Sequence, residues 1–93
     1  MIQVNEYFDG GVKSLGYETA AGKSTVGVME SGEYEFGTSQ HEIITMVEGE
    51  LAVLFPGETS WQVFRAGQNF EVAAQSKFKV KAQSQVSYLC LYR

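Results

Sequence analysis

Ninety-three residues with a net charge of −4 are expected to fold as one domain (1–93), and the charge sets the chain against a nucleic-acid backbone as partner. Five Tyr, six Phe and ten Gly beside a single Pro favour strands and tight turns over helices. One cysteine, Cys90, excludes an internal disulfide; no run reaches membrane-spanning length and no signal-peptide pattern opens the chain, so a cytoplasmic location without membrane partners is expected.

Residues 2–8 read as an edge strand or extended arm, and Asp9, Gly10 and Gly11 as a turn. Over 12–17, Val12, Ser14 and Gly16 fall on one face of a strand and Lys13, Leu15 and Tyr17 on the other. A small polar loop over 18–23 leads to a strand over 24–29 with Val26 and Val28 on one face. Tyr34 and Phe36 then alternate with Glu33 and Glu35, and Thr38, Ser39 and Gln40 make a polar break. Ile43, Ile44, Met46 and Val47 form the next strand, and Gly49 between Glu48 and Glu50 can supply the positive φ of a hairpin turn. The run 51–55 is nearly continuously apolar and predicts a strand covered on both faces. Pro56 and Gly57 break it, and 61–64 return. Phe70 and Val72 alternate with Asn69 and Glu71; Phe78 and Val80 alternate with Lys77, Lys79 and Lys81; 86–92 closes the chain. These are about ten short strands with tight turns, the spacing of a β-sandwich or barrel.

The stretch 32–51, GEYEFGTSQHEIITMVEGEL, resembles the first motif of the cupins. Gly32 fits its first glycine, and Glu42, residues 43–48 and Gly49 fit its second half without a gap. Thr38 and Gln40 stand where its two histidines belong. The second motif is matched in spacing by Gly67, then Ala73 at the proline place, Gln75 at the second glycine and Phe78 at the histidine. The resemblance implies an all-β, cupin-type β-barrel (an RmlC-like jelly roll) from which three of four usual metal ligands are missing. No metal and no cofactor are therefore expected.

The segments NEYFDGGVKS (5–14), GEYEF (32–36), SWQVFRAG (60–67) and SYLC (87–90) narrow this further. In this order and at this length the chain resembles the pyrimidine/purine nucleoside phosphorylase family of small cupins. The resemblance implies a transferase: phosphate-dependent cleavage of purine and pyrimidine nucleosides to free base and ribose 1-phosphate, in a homodimer. Inorganic phosphate is then a co-substrate.

Glu42 is the expected catalytic residue, because the cupin register points it into the barrel, where a carboxylate needs a partner. Its two readings are an anchor for neighbouring turns and a stabiliser of ribose or of positive charge at the sugar. Tyr34, Phe78 and Tyr88 offer rings for stacking on a base, which suits broad specificity because every base has a π-face; each also reads as plain core. Gln62 can donate to and accept from a base or ribose. A phosphate needs cationic or amide donors, and Lys13 or Arg65 is expected to bind it. Lys77, Lys79 and Lys81 read as the wet face of a strand. His41 reads as a rim residue and Cys90 as a small buried side chain. Two other classes compete: a non-catalytic cupin that binds a sugar or nucleoside, and a metal-dependent cupin, disfavoured by the missing histidines.

Overall fold

Period-two alternation of apolar and polar side chains sets the frame of the computed structural model, which describes all residues Met1–Arg93. The strands are β1 (Gln3–Tyr7), β2 (Val12–Thr19), β3 (Gly22–Met29), β4 (Gly32–Gly37), β5 (Glu42–Glu48), β6 (Leu51–Leu54), β7 (Gln62–Phe64), β8 (Asn69–Val72), β9 (Lys77–Ala82) and β10 (Val86–Tyr92). They form two antiparallel sheets, one in the order β1-β2-β3-β10-β5-β8 and one in the order β4-β9-β6-β7. The expected jelly roll is thus a two-sheet sandwich. No helix is long and apolar enough to cross a membrane.

The inner faces meet in one apolar core. Val12, Met29, Ile44, Met46, Val86 and Cys90 come from the larger sheet, and Leu51, Val53, Phe78 and Val80 from the smaller. Gly49 turns β5 into β6 with φ near 90°, and a Cβ there would lie 2.6 Å from Val86. The expected hairpin glycine is therefore required twice over, by backbone and by space.

Three local expectations change, and one shared face is assigned its side. The loop over 18–23 shrinks to Ala20 and Ala21, because Thr19 already pairs with Gly22 and the Thr19 hydroxyl accepts the Ala21 N–H at 3.1 Å. Val26 and Val28 do share a face, but it is the outer one, about half exposed. The run 51–55 is buried only at Leu51 and Val53; Ala52 and Leu54 are half-covered on the outer side. Finally, β1 ends at Tyr7, and Phe8 belongs to the turn. Phe8 and Asp9 both have positive φ, 53° and 55°, and Gly10 N–H donates to the Tyr7 carbonyl at 3.2 Å. Those are the features of a type I′ reversal, which favours Asn, Asp or Gly at both centres. A bulky ring at its first position costs about 1–3 kcal/mol.

Thr38, at a histidine place of the motif, ties the end of β4 to the turn between β8 and β9. Its buried hydroxyl donates to the Ala73 carbonyl at 2.7 Å and accepts the Ser76 N–H at 3.0 Å. Thr38→Val keeps the shape and strands the Ser76 N–H, while the Ala73 carbonyl keeps its bond from the Ser76 hydroxyl at 2.6 Å. We expect it to lower stability by about 1–3 kcal/mol in urea unfolding while leaving substrate affinity unchanged.

Candidate functional site

Between the sheets lies a cavity of about 500 Å³, the size of a small-molecule site. The two sheets give it two different walls. The larger sheet supplies polar groups: Ser14 from β2, Glu42 from β5, and Tyr88, Cys90 and Tyr92 from β10. Tyr88, Cys90 and Tyr92 reach the same side because they are two residues apart on one strand. The smaller sheet supplies rings and the Glu35 carboxylate, and Phe70 on β8 adds a ring from the larger sheet. Phe36 on β4 and Phe78 on β9 are directly opposite in register, with centroids 5.7 Å apart. Phe8 extends the row, edge-on to Phe36 at 5.6 Å.

Glu42 is the acidic centre of the polar wall. It is paired with Tyr92 on one side and Val72 on the other, so its side chain follows Ile44 and Met46 inward. Burial raises its pKa, and a hydrogen bond from the Cys90 thiol (3.5 Å) opposes that rise. The same enclosure acts on its neighbours. Burial pushes the Cys90 thiol up to about 12, and the nearby Glu42 carboxylate adds to it. Tyr88 is likewise pushed up to about 12, first by burial and then by Cys90, Tyr7 and Glu42. Burial also raises the Tyr92 phenol, whose hydroxyl lies 3.1 Å from Thr25 Oγ1. At neutral pH the wall therefore presents a thiol and two protonated phenols around one carboxyl group. Cys90 is no nucleophile in that state; the hydroxyls are donors and acceptors for a polyol or an oxyanion.

Tyr88 owes its place to a missing side chain. A Cβ on Gly27, its register partner on β3, would fall 2.6 Å from the Tyr88 Cζ and hydroxyl oxygen. The ring thus lies across the floor of β3, over the one residue that leaves room.

Of the expected site residues, the cavity gathers Glu42, Phe78 and Tyr88. The other four lie elsewhere. Lys13 is on the outer face of β2, 3.5 Å from Glu6, because its neighbours Val12 and Ser14 take the inner face. Arg65 is exposed and paired with Glu50 at 2.9 Å. Gln62 is exposed on edge strand β7, with Glu58 at 3.5 Å. Tyr34 packs against Phe8 and Phe36 and donates its hydroxyl to the Glu30 carbonyl at 3.0 Å. No Lys or Arg lines the cavity. His41 sits outside it, 2.7 Å from Glu71.

Sequence reasoning passed over Tyr7, Phe8, Ser14 and Tyr92, which all line the cavity. Alternation carried the signal for two of them: Ser14 shares the face of Val12, and Tyr92 that of Cys90 and Tyr88. The metal-ligand positions of the motif do not converge on a donor set. Thr38 is committed to backbone partners, Phe78 offers no donor atom, and no group of three His, Cys, Asp or Glu side chains is placed to hold an ion. These residues do not fit a metal.

A family model described as pyrimidine/purine nucleoside phosphorylase matches residues 2–92. A protein of Marinobacter nauticus named pyrimidine/purine nucleoside phosphorylase is 53% identical over 92 residues, covering 99% of both chains. Among solved structures, a Vibrio parahaemolyticus protein of unknown function superposes with TM-score 0.94 at 42% identity, over 97% of this chain and 96% of its own. An RmlC-like cupin from Shewanella frigidimarina superposes with TM-score 0.71 at 18% identity, over 96% of this chain and 80% of its own, so the sandwich has the cupin fold.

Proposed function

The chain belongs to the pyrimidine/purine nucleoside phosphorylase family, and on that premise we propose that it transfers the pentosyl group of purine and pyrimidine nucleosides to inorganic phosphate. The bond from the anomeric carbon to the base nitrogen breaks. Its electron pair leaves with the base, which gains a proton, and a phosphate oxygen bonds to the anomeric carbon. The products are free base and ribose 1-phosphate. The observation that carries this reading beyond family membership is the cavity itself, where the Phe36–Phe78 row stands with Glu42 and the Tyr88 and Tyr92 hydroxyls in one lining.

Displacement at the anomeric carbon passes through a transition state resembling an oxocarbenium ion. Glu42, as carboxylate, favours positive charge there, while Tyr88 and Tyr92 hold ribose hydroxyls. Phe78 belongs to the aromatic wall on which the base stacks, a contact indifferent to base identity. Phosphate enters on the far side of the sugar and itself offsets the developing charge. Positioning of this kind lowers a barrier by about 7–11 kcal/mol when the geometry is ideal. Lys13 and Arg65 lie outside the cavity, paired on the surface with Glu6 and Glu50.

We take 1–93 to be one catalytic domain that needs no cofactor and no metal, acts in the cytoplasm and works as a homodimer. The outer face of the larger sheet supports the dimer: Val4, Leu15 and Val26 lie in one register row, 72%, 48% and 45% exposed, and a second copy would cover them. Light scattering is expected to give twice the chain mass at micromolar concentration, and a monomer removes the dimer. Elemental analysis after dialysis should find no stoichiometric transition metal; one tightly held ion per chain that activity requires refutes the metal-free reading.

The activity itself is tested with uridine and adenosine, each with and without phosphate, in the presence of a chelator. Uracil and adenine should appear only with phosphate. If neither nucleoside is cleaved, the reading gives way to a non-catalytic binder.

A further inference from the structure

The β1–β2 turn sets an aromatic ring where the backbone least favours one. Phe8 has φ near 53° at the first centre of a reversal suited to Gly, Asn or Asp, although Asp9 and Gly10 follow immediately. Its ring is not buried: about half of Phe8 remains exposed, so core packing is a poor reason for the strain. The ring nonetheless has a fixed seat. It lies 5.0 Å from Tyr34 and 5.6 Å from Phe36, edge-on to the latter. Tyr34 is itself held by its hydroxyl bond to the Glu30 carbonyl. The exposed part of Phe8 lines the cavity, at the end of the ring row that runs through Phe36 to Phe78.

A half-exposed ring packed against Tyr34 and Phe36 at the border of an aromatic wall is a platform prepared for a flat ligand. Building it in advance removes an ordering cost from binding. Phe78, by contrast, is 4% exposed and has little face left to offer.

We propose that Phe8 is the base-stacking residue of the site, held over the cavity by the strained turn, and that it sets affinity for the base without touching the sugar or the phosphate. The inference rests on the nucleoside phosphorylase reading for its choice of ligand. It goes beyond that reading in placing the base at Phe8 rather than deep at Phe78. Two consequences follow. Purines, with the larger π-face, depend on Phe8 more than pyrimidines do. An aliphatic side chain of similar bulk preserves the packing against Tyr34 and Phe36 but not the stacking.

The test compares Phe8→Leu, Phe8→Trp and the unaltered protein by steady-state kinetics and by equilibrium titration with free adenine. Phe8→Leu should raise the KM for adenosine about tenfold and that for uridine less, with the KM for phosphate within about twofold. Adenine affinity should fall about tenfold as well, while Phe8→Trp stays within about twofold on each count. Thermal unfolding of each variant accompanies the measurements. An unchanged adenosine KM in Phe8→Leu overturns the proposal. So does an equal rise for phosphate and nucleoside accompanied by a lower Tm, which would mark Phe8 as packing alone. The titration separates the two levels of the argument. If the unaltered protein binds adenine but cleaves no nucleoside, the phosphorylase reading fails while adenine affinity still judges Phe8. If it binds no adenine at millimolar concentration, the stacking platform fails whatever the activity.

Discussion

Glu42→Gln is expected to abolish most of the activity while leaving the fold intact and no less stable. The substitution keeps the shape of the side chain and one acceptor oxygen, replaces the other oxygen with an NH2 donor, and removes the charge. If that charge favours the oxocarbenium-like transition state, kcat should fall about 100-fold or more, the scale of losing one oriented electrostatic group in an enclosed site. Nucleoside KM should change little, since ribose hydroxyls can still bond to the amide. The stability effect has the opposite sign. Burial raises the Glu42 pKa in the folded protein above its unfolded value. The folded state therefore binds the proton more tightly, and the wild type loses stability as pH rises from the unfolded pKa through the folded one. Glutamine removes that loss. At pH 7 the variant should melt at or above the wild-type temperature, and below about pH 4.5, the ordinary carboxyl value, the difference should vanish. Near-normal turnover in a folded variant would reassign Glu42 to an anchoring role. A Tm well below wild type at pH 7 would mean that its hydrogen bonds outweigh its desolvation.

Gly27→Ala is the second large expected effect. Strand backbone at Gly27 accepts alanine without strain, so the consequence is steric alone. The new Cβ meets the Tyr88 ring at 2.6 Å, and the ring must leave the β3 floor. Overpacking of this kind costs about 1–3 kcal/mol, and the displaced phenol no longer holds the ribose. We expect nucleoside KM to rise about tenfold. Gly16→Ala on the neighbouring strand provides the contrast, since its nearest heavy atom, Asn5 Nδ2, is at an ordinary 3.6 Å. A Tyr88→Ala/Gly27→Ala pair isolates the cause: once the ring is gone, adding the methyl group should cost almost nothing. Wild-type KM and Tm in Gly27→Ala would show that the ring position is incidental to binding.

Much of the strand layout was legible because alternation is a local property. Lys77, Lys79 and Lys81 lie on the outer face of β9 with Phe78 and Val80 inside, as their spacing required. The site was less legible, and the reason is visible in β2. Charge drew attention to Lys13, yet the alternation that buries Val12 also turns Lys13 outward and Ser14 into the cavity. Composition alone likewise favoured Arg65, whose partner Glu50 lies across a hairpin that local pattern does not reveal. Glu42 was found through the Glu-x6-Gly half of the cupin motif, and the strand that turns Ile44 and Met46 inward turns it inward too; Tyr88 was found only as one of several rings able to stack. Two features were beyond sequence reading. The vacancy at Gly27 exists only against Tyr88, 61 positions away, through the β3–β10 register. The turn at Phe8 runs against local preference, since Asp9 and Gly10 are the better centres of a type I′ reversal.

The central claim is transfer of a pentosyl group to phosphate, and the most direct observation of it is the phosphorus atom itself. Adenosine and inorganic phosphate are incubated with the protein and a chelator, and the ³¹P NMR spectrum is followed together with base release. A sugar-phosphate resonance with the shift of ribose 1-phosphate should grow as inorganic phosphate declines, mole for mole with adenine. Adenine released with no loss of inorganic phosphate, or no adenine at all, would contradict the account.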